Sequence, residues 1–140
     1  MSCELCLQVG GELLWQDAWC RVVRINELGY PGFCRVIWKA HVKEMTDLSE
    51  RERRHLMQVV FTVEGTLRKL LNPHKINLAS LGNMVPHLHW HVIPRFESDP
   101  HFPQPIWGQQ QREPRLEYSH DLGEKLAAEL ALSCRRQKNK

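Results

Sequence analysis

Three of the eight histidines in this chain, His87, His89 and His91, alternate with Leu88, Trp90 and Val92. Alternate residues of a strand face the same side. In an extended segment the three imidazoles therefore share one face, while Leu88, Trp90 and Val92 enter the core on the other. Such a face is a poor solvated surface and a worse apolar core, because adjacent imidazoles lower one another's affinity for a proton. Three readings fit the residue types. The first is a half-solvated polar face of an edge strand. The second is a metal site, since neutral imidazole ligates zinc; against it, same-face neighbours lie about 6.5–7 Å apart, wide for chelation by all three. The third is nucleophilic catalysis. An imidazole of ordinary pKa, about 6.5, offers its neutral form at neutral pH. It can attack phosphorus while neighbouring imidazoles bind phosphate oxygens and protonate a leaving group.

The surrounding sequence supplies a strand for these residues. Glu12 to Gln16 and Trp19 to Ile25 read as two strands joined at Asp17-Ala18, a hairpin turn. Gly29-Tyr30-Pro31-Gly32 breaks the chain, and Phe33 to Lys39, rich in β-branched and aromatic residues, reads as a third strand. Ser49 and Glu52 fit a capping box at the start of a helix, whose stripe is Leu56, Val60, Val63, Leu67 and Leu70. Asn72-Pro73 ends it, because the residue before proline is pushed from helical angles. Lys75 to Leu81 is a fourth strand, Gly82-Asn83 a turn, and Leu88 to Arg95 a fifth strand. Ser98 to Pro114 is proline-rich and expected to be irregular, and Leu122 to Cys134 forms a shorter helix. The connection between the last two strands is too tight for a parallel crossover. The expected fold is α+β, a five-stranded antiparallel sheet with one long and one short helix.

With 140 residues, 42% hydrophobic and 25% charged, the chain is expected to be one globular unit. It divides into a domain over 1–114 and a C-terminal helix with basic tail over 115–140. The formal net charge of +3 is a slight argument for an anionic ligand and none for nucleic-acid binding. Only Arg135, Arg136, Lys138 and Lys140 cluster, as a solvated terminus. Neither a signal-type leader nor an apolar run of the ~20 residues that span a bilayer is visible. The five cysteines, Cys3, Cys6, Cys20, Cys34 and Cys134, do not read as a disulfide framework. These observations point to a cytoplasmic protein with reduced thiols and no membrane or nucleic-acid partner.

The stretch His87 to Ile93 followed by Pro94-Arg95 resembles the signature of the histidine-triad (HIT) superfamily, in its hydrolase-type (Hint/Fhit-like) branch. The likeness runs from Cys3-x-x-Cys6 to about Pro105. It takes in the Pro31-Gly32 turn, Lys39 to Val42, Asp47 to Ser49, Asn77 and Gly82-Asn83. The resemblance implies a nucleotide hydrolase cleaving at an α-phosphate, of a nucleoside phosphoramidate or a dinucleoside polyphosphate. His89 would be the nucleophile and carry a nucleotidyl group that water releases as a nucleoside monophosphate. His91 would assist the phosphate or leaving group, and His87 would steady the array or join a metal site. Gly82 and Asn83 would meet phosphate, and Asn77 and Asn26 would position ribose or phosphate. Transferases and phosphorylases of the superfamily usually carry Gln at the third triad position, where this chain has His91. The resemblance also implies a homodimer in which two sheets join into one.

Two positions depart from the family pattern. Phe33 replaces a histidine that commonly bonds within the triad, so another acceptor, such as a backbone carbonyl, must fix the tautomer of His89. Met84 replaces a small hydroxyl residue that meets phosphate. Some branches bind structural zinc through a cysteine pair and two histidines, corresponding here to Cys3, Cys6, His41 and His87; the chemistry itself requires no cofactor. The departures make a nucleotide-binding regulatory module with little turnover the alternative function, and a zinc protein using the triad as ligands the third. His55 and His74 read as ordinary surface residues, His101 as a solvated loop residue near the triad, and Trp107 as a loop anchor or a platform for a base.

Overall fold

The computed structural model describes residues 2–115 and 120–138. Strands β1 (Glu12–Gln16), β2 (Cys20–Arg24), β3 (Cys34–Trp38), β4 (Lys75–Ala79) and β5 (His89–Arg95) form one sheet in the order β1-β2-β3-β5-β4. Every pairing is antiparallel. The helices are α1 (Glu4–Leu7), α2 (Glu50–Leu71) and α3 (Leu122–Lys138), with a single 3-10 turn at Met45–Asp47. The α+β expectation holds. Four strands are shorter than the sequence suggested, β3 for instance losing Phe33 and Lys39, and β1 carries a register shift between Leu13 and Trp15. The last helix runs four residues beyond Cys134, and the short α1 was not anticipated, since four residues give no periodicity to read.

Local chemistry accounts for the joints. Asp17 Oδ1 accepts from the backbone amides of Trp19 and Cys20, both at 2.8 Å, which closes the β1–β2 turn. Gly32 has φ 79°, and a Cβ there would lie 2.6 Å from Leu71 Cδ1, so both conformation and packing demand glycine. The capping box at α2 is formed: Glu52 N donates to Ser49 Oγ, and Ser49 N donates to Glu52 Oε1. Asn72, before Pro73, adopts the left-handed conformation that ends the helix.

The two helices cover one face of the sheet. Leu56, Val60, Val63 and Leu67 from α2 and Leu122, Leu126 and Leu130 from α3 pack with Val22, Val36, Leu88 and Val92 in one buried cluster. The apolar stripe of α2 is thus spent on the chain's own sheet. The residues of 115–140 that were expected to form a helix and tail send three leucines into that same core. Among the described residues no helix is long and apolar enough to cross a membrane. The other face carries no long helix. There α1 lays Leu5 against Val23 and Ile37, tied down by Arg21, which donates to the carbonyls of Leu5, Gln8 and Val9 at 2.7–2.9 Å. That face holds the histidines.

Candidate active site

Register determines what surrounds the triad. Strand β5 runs between β3 and β4, with His89 opposite Ile37 and His91 opposite both Arg35 and Ala79. Directly paired residues project to the same side of a sheet. His89, His91, Ile93, Arg35 and Asn77 therefore share one face, while Trp90 and Val92 pack toward the helices. His87 lies just before β5 and is fully buried; His89 and His91 are 7% and 5% exposed. A solvated polar edge is excluded, because β5 is an inner strand.

Each imidazole has a defined partner. His87 Nε2–H donates to the Trp38 carbonyl at 2.5 Å, which leaves Nδ1 with its lone pair. His89 Nδ1–H donates to the His87 carbonyl at 2.6 Å, which leaves the lone pair on Nε2. The acceptor missing at Phe33 is thus supplied by backbone. Arg35 Nε–H donates to His91 Nδ1 at 3.3 Å, so neutral His91 carries its proton on Nε2. The rings of His89 and His91 meet edge to face at 4.9 Å, and Phe33 and Trp107 contact His91 at 5.8 and 5.1 Å. Desolvation lowers the pKa of all three; the Arg35 charge adds to it at His89 and His91, and His91 falls to about 4. Burial beside a guanidinium keeps these rings neutral.

The lone pair of His87 faces a second group. Cys3 Sγ and Cys6 Sγ lie 3.4 and 3.5 Å from His87 Nδ1, Cys6 Sγ lies 3.5 Å from His41 Nδ1, and the two Nδ1 atoms are 3.2 Å apart. All four ligand atoms are within 4.8 Å of one another. Tetrahedral zinc with ordinary bond lengths has N···N edges of about 3.3 Å and S···N edges of about 3.5 Å. The residues fit that ion, and the Trp38 carbonyl is the outer partner that orients a metal-binding histidine.

The remaining expected residues are more dispersed. Asn77 lies opposite Ile93 on the triad face, but its Oδ1 accepts from Arg95 Nη1 at 2.8 Å. Gly82, with φ 81°, and exposed Asn83 belong to the loop between β4 and β5, which Ser80 pins by donating to the His89 carbonyl at 2.8 Å. Met84 is 93% exposed. Asn26 lines a cleft with Glu27, Tyr30 and Arg115, and no triad residue is among the described residues that line it. His74 is exposed beside Glu97, as a surface residue should be. His55 is instead half-buried, at 2.6 Å from Asp17, and His101 bonds the Tyr30 hydroxyl rather than solvent.

Two features escaped the sequence reading. Arg35 has no local signature in the sequence; strand register alone sets it beside His91. Asp99, in the proline-rich segment, is 3% exposed and organises the chain after β5. Its carboxylate accepts from Arg95 at 2.8 and 3.0 Å and from the amides of Phe96, His101 and Phe102, which keeps its pKa below the ordinary carboxylate value despite desolvation. The Arg95-x-x-x-Asp99 spacing was the available signal.

The protein is thus an α+β domain with two helices on one face of its sheet and a buried histidine array on the other. The family model for the HIT domain matches residues 8–98, and the chain belongs to the HIT family. Histidine-triad proteins of Bradyrhizobium japonicum and Sinorhizobium meliloti superpose with TM-scores of 0.75 and 0.74 at 27% and 28% identity, each covering 94% of this chain and 96% of the other. A zinc-bound histidine-triad protein of Mycobacterium smegmatis shares the fold at 20% identity, TM-score 0.68, over 97% of this chain and 98% of its own. An AP-4-A phosphorylase of Mycobacterium tuberculosis is 30% identical over 78 residues, 51% of this chain and 40% of that protein's length.

Proposed function

We propose that the protein transfers a nucleotidyl group from a nucleoside phosphoramidate or dinucleoside polyphosphate to His89, and then to water. The observation that carries this reading is the hydrogen bond from His89 Nδ1–H to the His87 carbonyl. It leaves the Nε2 lone pair as the nucleophile and stabilises the positive charge the ring acquires on attack. Nε2 bonds to the α-phosphorus as the bond to the leaving group breaks, and the electron pair departs with that group. His91, held neutral with its proton on Nε2, hydrogen-bonds a phosphoryl oxygen or the leaving atom, and an amine leaving group takes its proton from water. Water then attacks phosphorus, the bond to His89 breaks, and the nucleoside monophosphate leaves while the water's proton passes to solvent. Gly82 and Asn83 meet the phosphate, and Asn77 and Asn26 serve the ribose side.

A second acceptor is favoured by one observation, the likeness to an AP-4-A phosphorylase. In that reading inorganic phosphate attacks the intermediate and a nucleoside diphosphate leaves.

Cys3, Cys6, His41 and His87 hold a structural zinc ion in this proposal. Bound there, zinc fixes the His87 backbone whose carbonyl orients His89. The protein should contain about one zinc per chain, and Cys6→Ser should weaken binding at least about 100-fold, beyond the loss typical of an outer partner. Metal analysis showing no zinc in protein purified without chelators would remove this element.

The function is tested by incubating the protein and His89→Ala with adenosine 5′-phosphoramidate and diadenosine tetraphosphate, with and without inorganic phosphate. AMP release by the wild type alone supports hydrolysis, and ADP formed only with phosphate supports phosphorolysis. Nucleotide binding without either product would instead support the regulatory module suggested by Phe33 and Met84.

A further inference from the structure

Three arginines project from the triad face of the sheet, and two are fully engaged. Arg21 donates to three carbonyls of the N-terminal segment. Arg95 is spent on Asp99, Asn77 and the Gln104 carbonyl. Arg35 differs. Half-buried opposite His91, it makes one hydrogen bond, from Nε to His91 Nδ1. Among the described residues no carboxylate forms an ion pair with it and its two outer nitrogens carry no hydrogen bond; Glu4 and Glu27 act on it only at longer range, and its guanidinium carbon lies 5.8 Å from the Phe33 ring centroid. Half-buried, with no hydrogen bond on its outer nitrogens, this guanidinium beside the triad is free to meet an anion that arrives from outside. Trp107, 52% exposed, also adjoins His91, with its ring 5.1 Å from the imidazole. A guanidinium and an indole thus both adjoin His91.

We infer that Arg35 holds the His91 tautomer and binds the phosphates of the departing group, so that the preferred substrates are dinucleoside polyphosphates. This inference rests on the nucleotidyl-transfer reading above. In polyphosphate cleavage the bond between the α-phosphorus and the bridging oxygen breaks, and the electron pair leaves on that oxygen as part of an anionic nucleoside polyphosphate. A fixed guanidinium stabilises this charge as it develops, and Trp107 receives the base of the departing nucleotide. In phosphoramidate cleavage the phosphorus–nitrogen bond breaks and the nitrogen must gain a proton. A neighbouring guanidinium gives that leaving group nothing and opposes any positive charge on it.

The test compares kcat/KM for diadenosine tetraphosphate and adenosine 5′-phosphoramidate in the wild type, Arg35→Lys and Arg35→Met, with folding checked by thermal melting. Arg35→Met should lower the ratio of tetraphosphate to phosphoramidate activity by about 10-fold or more, as expected for losing a charged donor to a developing anion. Arg35→Lys, which keeps the charge but loses the planar fork, should restore part of it. Equal losses on both substrates, or none, would overturn the inference. Binding of diadenosine tetraphosphate and of AMP to His89→Ala, with and without Arg35→Met, separates this result from failure of the enzymatic reading. Even if the wild type turns over neither substrate, a loss of affinity for the tetraphosphate at least about 10-fold greater than that for AMP upholds the anion site. Equal effects on the two ligands refute it.

Discussion

At His89 and His91, two hydrogen bonds decide which ring nitrogen carries the proton. A backbone carbonyl fixes His89 and a guanidinium fixes His91, and neither donor–acceptor pair involves the position where Phe33 stands. The alternation of histidines was legible in sequence because a strand's period is two. Arg35 was not, because strand pairing over 56 residues has no local signature. The environment of His91 has a consequence for stability. Its pKa is about 4 in the folded protein and near 6.5 when unfolded. The unfolded chain therefore binds more protons between these values, so this contribution is complete above the upper value and is lost as pH falls toward the lower one. Urea unfolding at the two ends of that window should show His91→Gln losing on the order of 2 kcal/mol less than the wild type, after allowance for solvent screening. Identical pH dependence in both would show that His91 is not held neutral by the fold.

The elements that build the site differ in how far sequence announces them. The capping box and stripe of α2 are local, and both ends of that helix fall at Ser49 and Asn72 as read. The four-residue α1 is organised instead by bonds from Arg21 to three carbonyls 12 to 16 residues away, and the proline-rich segment after β5 by a local ion pair, Arg95 with Asp99, that no periodicity announces. That segment carries Trp107 to His91. Its anchor is an ion pair in which both side chains are almost wholly buried. Removing one partner of such a pair leaves the other charge uncompensated, at a cost of about 3–5 kcal/mol. Asp99→Ala should therefore lower unfolding free energy by that amount and raise KM as the Trp107 wall loosens. A variant as stable as the wild type would show that the segment is held by other contacts.

For the molecule as a whole, the sheet separates two tasks. The helix-covered face supplies the main hydrophobic core, and the opposite face carries the triad, the Cys/His cluster and Arg35. His87 joins two of these: one ring nitrogen faces the cysteines, and its carbonyl orients His89. Fold class could be read from the order and spacing of elements. The convergence of Cys3 and Cys6 on His41 and His87 could not, since it depends on where α1 lies across the sheet. We expect two copies to associate, as in the dimer that the family resemblance implied. Sedimentation at micromolar concentration should give a species of twice 16.5 kDa, and the monomer mass alone would contradict this.

In the proposed reaction phosphorus becomes bonded to His89 during turnover. It is tested most directly by quenching the reaction with diadenosine tetraphosphate at high pH, where a phosphorus–nitrogen bond survives, and mapping the digested protein by mass spectrometry. A nucleotidyl group is expected on the peptide containing His89 and absent from His89→Ala. AMP release with no such adduct, and with His89→Ala still active, would contradict it.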